Sequence, residues 1–291
     1  MNKTAVSIVP CKKFCGEAPL WMEQTKELYW VDTGRKECHR FNTRNKTSSI
    51  IKMDGFPQAL GRREQGGWIC PMEDRVVLLD KDFAQVKDLG SPLPAGTPLL
   101  LGDGTTGPDG LYYFGAYDPE DLSSKEGAVY RVNSDLSFEL VIPEMALPNG
   151  MAFNKEGDKY YLTEMFGNCI WSYDFSKETG QFTNKSLFAS IPEEDGYPDG
   201  LIMDNKGGVW SAHWQGFRIT RYNPDGMIET VIKLPVPTAT CMAFGDDGGL
   251  YITTATKGCS EEQLKEYPES GNLFFTETRY KGFQEREFIE K

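Results

Sequence analysis

Six segments of this chain repeat one pattern, a polar turn rich in Gly and Asp followed by an aromatic-rich strand. Their anchors are Tyr29, Trp68, Tyr112, Tyr160, Trp210 and Tyr251, at spacings of 39, 44, 48, 50 and 41 residues. A period of about 40–50 residues is that of a propeller blade, and overlooking it would misassign the whole fold. A second short strand trails each anchor, from residues 39–42 in the first repeat to residues 273–275 in the last. Short apolar runs bounded by Gly, Asp and Pro are strand signals. Only residues 260–267 read as a short helix. The expectation is an all-β six-bladed β-propeller of four-stranded antiparallel blades, one domain over residues 1–291. The ring is expected to close by pairing the N-terminal strand near residues 4–9 with the last blade. A plain antiparallel sandwich competes, but six matched units without linkers favour a ring, which leaves few free edges.

Charge and composition narrow the partners. Lys and Arg number 31 against 43 Asp and Glu, a formal net charge of −12. Phosphate recognition needs a basic face, so a nucleic-acid partner is not expected. No polybasic segment is available for anionic lipid, and no apolar run approaches the roughly 20 residues of a membrane span. Residues 1–10 lack the apolar stretch of a signal peptide. The seven cysteines, from Cys11 to Cys259, form no C-x-x-C pair. Scattered thiols of this kind are expected to be reduced in a soluble, cytoplasmic protein.

In a propeller the innermost strands surround a central channel, so equivalent positions of the blades converge there. Counting back from the anchors gives Glu17 at twelve residues, Asn149, Asp199 and Thr240 at eleven, and Gln58 and Gly102 at ten. Two carboxylates and an amide thus fall at a common offset of eleven or twelve residues. Converging in a channel, they would repel or go unsatisfied without a cation. Such hard oxygen donors suit one divalent ion, Ca²⁺, Mg²⁺ or Mn²⁺, and carboxylates also bind Zn²⁺. Asn-Gly and Asp-Gly are equally the dipeptides of ordinary turns.

At these same residues the sequence resembles a known family. GEAPLW with LYWVD, LPNGMAF, YPDGLIMDNKGGVW, RITRYNPDG and CMAFGDDGGLYITTA are similar, in order, to the SMP-30/gluconolactonase/regucalcin-like proteins. The resemblance spans essentially the whole chain. It implies a six-bladed propeller with a divalent metal in the channel, ligands Glu17, Asn149 and Asp199, and hydrolysis of a small-molecule lactone. The family's R-x-N-D-G segment falls on residues 100–104, where Leu100 replaces Arg, Gly102 replaces Asn, and Asp103 and Gly104 remain. Gly102, Asp103, Glu120 and His213 are the expected substrate-side positions. The two replacements imply a roomier, less polar mouth and leave the metal with three protein ligands, unless Asp103 supplies a fourth.

The expected chemistry is attack of water on a metal-polarised ester carbonyl, with Asp199 orienting or deprotonating the water. No Gly-x-Ser-x-Gly elbow supports a serine triad, and no P-loop or dinucleotide fingerprint follows a strand. Alternatives are an organophosphate or phosphofluoridate hydrolase, a non-enzymatic calcium-binding regulator, and a scaffold. A scaffold has no use for matched axial oxygen donors.

Overall fold

The aromatic anchors are buried because each opens the second strand of a blade, and that strand is covered on both faces by neighbouring blades. Glu27–Asp32, Tyr112–Tyr117, Lys159–Glu164 and Gly249–Thr254 are buried almost throughout. Continuous apolar runs, rather than alternation, are the signature of strands covered on both sides. The outermost strands, such as Thr47–Lys52 and Gln85–Gly90, are polar and exposed, which blunts the sheet edges.

The computed structural model describes residues 3–291. Six antiparallel blades follow one another in chain order as a six-bladed propeller. Blade one comprises Gly16–Met22, Glu27–Asp32, Glu37–Asn42 and Thr47–Lys52. The first strands of blades two to six are Gly61–Arg63, Leu100–Thr106, Pro148–Phe153, Tyr197–Met203 and Ala239–Phe244, and from blade two round through blade six to blade one each first strand touches the next. The short helix is Glu261–Glu266, its N-cap Ser260 and Gln263 forming a reciprocal capping box.

Closure departs from the expected single pairing. Val6–Val9 does pair antiparallel with Leu273–Glu277 and completes blade six. Lys3–Thr4, however, runs parallel to Ile228–Lys233 at the edge of blade five. The N-terminal segment therefore ties two blades together. A second tie comes from the C-terminal tail, for which the repeat gives no signal. Glu287–Phe288 pairs parallel with Gly61–Arg63, the innermost strand of blade two. Phe288 is fully buried there, against Ile69 and Tyr112.

The apolar core is divided into six clusters, one at each seam between adjacent blades. Tyr29 of blade one, for example, meets Trp68 of blade two with ring centroids 4.9 Å apart. Because burial is satisfied at the seams, the axis is left free for polar side chains. All seven cysteines are free, five of them buried.

Candidate functional site

Every blade carries one extra residue in its first strand, at the level of the positions selected by the repeat. In blade four, Pro148 pairs with Glu164 and Met151 with Leu162, so Asn149 and Gly150 together face Thr163. In blade five, Asp199 and Gly200 likewise face Ala212. In blade three the doubled pair is Gly102 and Asp103, and in blade one Ala18 and Pro19, directly after Glu17. Blades two and six show the same insertion, around Gln58 and at Thr240. Such bulges bend a strand and re-aim its side chains. Here they turn the axial residues toward a common point.

Asn-Gly and Asp-Gly are thus strand bulges in this chain rather than turns. The glycines permit close approach of neighbouring inner strands. A Cβ on Gly150 would overlap the Asp199 carbonyl oxygen, and one on Gly200 would overlap the Cys241 sulfur.

A cavity of about 180 Å³ opens at this end of the channel, with Glu17, Gly102, Asp103, Asn149 and Asp199 on its wall. Glu17 and Asp199 are buried. Burial raises the Glu17 pKa well above its usual value, and the charges of Asp199 and Asp103 raise it further. Asp199 is pushed well up in the same way, by burial and then by Asp103. Burial lifts Asp103 to about 6, although its Oδ1 accepts the Gly104 N–H at 2.8 Å. Asp199 Oδ1 is buried with no hydrogen-bond partner. Glu17 Oε2 accepts the Ala18 N–H at 3.3 Å, and Asn149 Oδ1 accepts the Gly150 N–H at 2.9 Å. An amide oxygen has two lone pairs, so Asn149 keeps one free.

These donors are chemically a hard-cation set: two carboxylates, an amide oxygen, and one carboxylate oxygen left without a partner. Among the described residues no three His, Cys, Asp or Glu side chains form a ligand cluster, and the set fits a metal only with the Asn149 amide included. Among the described residues the one cationic side chain on the wall is Lys257, whose charge lowers both Glu17 and Asp199. Lys257 lies in the long connection between the second and third strands of blade six, an insertion with no counterpart in the other blades, so no periodic signal could select it.

The other expected positions are placed differently. Gly102 lies on the wall, and a Cβ there would sit 3.5 Å from the Tyr117 ring, in ordinary contact. Asp103 comes one residue later and delivers the blade-three carboxylate. Glu120 is on an exposed turn, its N–H bonded to Asp118 Oδ1 at 2.9 Å, and is not on the cavity wall. His213 is fully buried and is not on the cavity wall. Its Nδ1 donates to the Asp195 carbonyl oxygen at 2.8 Å, Nε2 has no partner, and burial lowers its pKa to about 4. His39, expected away from the axis, is in the third strand of blade one, its Nε2 3.1 Å from Glu37 Oε2.

Residues 15–256 match the family described as SMP-30/Gluconolactonase/LRE-like region. The L-arabinolactonase of Azospirillum brasilense is 28% identical, over 98% of this chain and 95% of its own. The pentonolactonase XacC of Haloferax volcanii is 30% identical, over 88% and 86%. A calcium-binding protein, regucalcin, from Agrobacterium tumefaciens superposes with a TM-score of 0.90 at 20% identity, covering 99% of each chain. With six blades, six axial bulges and the ordered motifs in place, the chain belongs to the SMP-30/gluconolactonase/LRE-like family.

Proposed function

We propose that this protein is a divalent-metal-dependent hydrolase of a small cyclic carboxylic ester, a lactone. The observation that carries the reading is the unpartnered, buried Asp199 Oδ1 beside Glu17, Asn149 and Asp103. Carboxylates whose pKa values are raised by one another lack a positive charge at their centre. Relatives named for lactonase activity supply the substrate class, and sugar lactones are the first compounds to assay.

In this reading Glu17, Asn149 and Asp199 hold one divalent cation, Ca²⁺, Zn²⁺, Mg²⁺ or Mn²⁺. Such an ion supplies Lewis-acid polarisation of the ester carbonyl and stabilises negative charge on its oxygen. Asp199 is the residue assigned to the water: its partnerless oxygen can accept a hydrogen bond from the nucleophile and take its proton. The Thr163 hydroxyl, bonded to the Asp199 main-chain oxygen at 2.9 Å, fixes the strand that carries this carboxylate. Asp103 and Gly102 shape the blade-three wall, with Asp103 the candidate fourth oxygen donor. Lys257 balances charge at the rim and attracts the carboxylate formed when the ring opens. Glu120 and His213, neither of them on the cavity wall, have no part in this reading. Free thiols fit a reducing, cytoplasmic setting.

Lactone hydrolysis measured with and without chelator tests the proposal, with Asp199→Ala as control. Metal-dependent turnover lost in the variant supports it. Metal binding without turnover of any lactone favours a calcium-binding regulator, and turnover only of a phosphorus ester favours an organophosphate hydrolase.

A further inference from the structure

The walls of the cavity are unequal. Tyr117, Leu122, Leu147, Met165, Phe166 and Trp214, all from blades three to five, form an apolar arc. Blades six and one contribute Lys257, Cys15, Glu17 and Thr33 on the other side. Phe166 is 37% exposed and packs at a tilt against Tyr197, itself 36% exposed, with centroids 5.1 Å apart. A partly uncovered aromatic pair beside a cavity is the pattern of a site that receives an apolar group. The Tyr117 ring lies against the backbone at Gly102, so blade three presents an aromatic face where a polar side chain could have stood.

Hydrogen-bonding capacity on that arc is low. Leu122, Leu147 and Phe166 carry no hydrogen-bonding side-chain atom, and the arc's strong polar atoms are only the Tyr117 hydroxyl and the Trp214 indole N–H. Ring hydroxyls of a sugar brought against Phe166, Leu147 and Leu122 would lose water without gaining partners, each costing about 1–3 kcal/mol. An alkyl or aryl group in the same place gains from burial.

We propose that the site takes a lactone bearing an apolar arm, alkyl or aryl, in place of sugar hydroxyls, with Tyr117, Phe166 and Trp214 receiving that arm. This rests on the lactone reading above and names its substrate class. The ester group lies over the oxygen donors and the arm leans toward blades three to five. Lys257 stands on the opposite side, where the new carboxylate forms.

The test compares glucono-δ-lactone, γ-nonalactone and dihydrocoumarin with the calcium- or manganese-loaded protein. Nonalactone carries the alkyl arm and dihydrocoumarin the aryl one. The expected kcat/KM is about tenfold or more higher for at least one of these two than for gluconolactone, the scale set by one apolar subsite. Phe166→Ala and Trp214→Ala should raise KM for the preferred apolar lactone more than for unsubstituted γ-butyrolactone. A readout without turnover is calorimetric binding of dihydroquinolinone, the lactam isostere of dihydrocoumarin, weakened about fivefold or more in Phe166→Ala. Preference for gluconolactone, with no lactam binding, overturns the apolar-arm proposal and leaves the lactone reading standing. Failure to hydrolyse any lactone with any divalent ion overturns both.

Discussion

Thr163 Oγ1 donates to the main-chain carbonyl oxygen of Asp199 at 2.9 Å, joining the second strand of blade four to the bulge of blade five. Thr163 is the residue that faces the Asn149–Gly150 bulge, so one hydroxyl links two of the three proposed ligand positions. Blade six repeats the device: Thr240 Oγ1 donates to the Gly16 carbonyl oxygen, one residue before Glu17. Both threonines are fully buried.

Thr163→Val keeps the shape and removes the donor. The expected loss is ~1–2 kcal/mol of stability, for one buried carbonyl left short of a partner. Catalysis should suffer more, with kcat down about tenfold and KM little changed, because the ligand-bearing strand is no longer pinned. Kinetics together with thermal unfolding separate the two effects. An unchanged kcat would show that the strand needs no such clamp.

Gly200→Ala tests the close approach of inner strands. Its methyl group would meet the Cys241 sulfur and the Thr240 carbonyl oxygen, and backbone cannot give way as a side-chain end can. Overpacking of this kind costs about 1–3 kcal/mol. Metal affinity should fall with stability, since the shift is transmitted to Asp199. Pairing with Cys241→Ala, which removes the sulfur, should restore part of both, as a double-mutant cycle can measure.

Acid sensitivity should trace in part to Glu37 and His39. Burial opposes ionisation of Glu37, yet Lys52, Lys13 and His39 outweigh it and hold its pKa at about 2, below the usual 4.5. Burial and then Lys13 lower His39 from 6.5 to about 4. In both cases the unfolded chain binds the proton first. The contribution of this pair is therefore full above about pH 6.5, falls as His39 in the unfolded state protonates, and falls further between 4.5 and about 2. Glu37→Gln should flatten the lower part of that curve and cost ~1–2 kcal/mol at pH 7. Chemical denaturation at a series of pH values gives the slope directly.

The C-terminal tail should behave as a strap. Its backbone bonds reach blade two at Glu64, blade three at Gly110 and Ser134, and blade five at Asn205. Arg62 pairs with Glu287, and Arg63 with Glu290. Phe288→Ala empties a fully buried site and should cost about 3–5 kcal/mol. Because the strap closes the end of the channel opposite the acidic cavity, kcat of the folded variant should stay within about twofold. A selective loss of activity without loss of stability would contradict this separation.

The blades were readable because each must bury one aromatic anchor at a seam, and that demand repeats along the chain. That Glu17, Asn149 and Asp199 sit at the axial bulges was readable through the same period, including the one-residue offset of Glu17, whose bulge follows it rather than containing it. Lys257, Phe166 and the tail residues 281–291 belong to loops and termini, which the repeat does not constrain. The N-terminal strand was readable as a closing strand, but its division between two blades depends on parallel pairing of Lys3–Thr4, which leaves no pattern in four or five residues. Glu120 and His213 show the limit of positional transfer. Matching a segment does not fix whether a side chain faces the channel, a turn or the seam behind it.

The most direct measurement is calorimetric titration of the chelator-treated protein with Ca²⁺ and Mn²⁺, in parallel with lactone hydrolysis. Wild type should bind one ion, and turnover should rise with occupancy. Asp199→Asn should bind at least about tenfold more weakly, having lost a charged ligand, and should have no measurable turnover even when saturated. Undiminished hydrolysis after chelation, or wild-type metal affinity and activity in Asp199→Asn, would contradict the account.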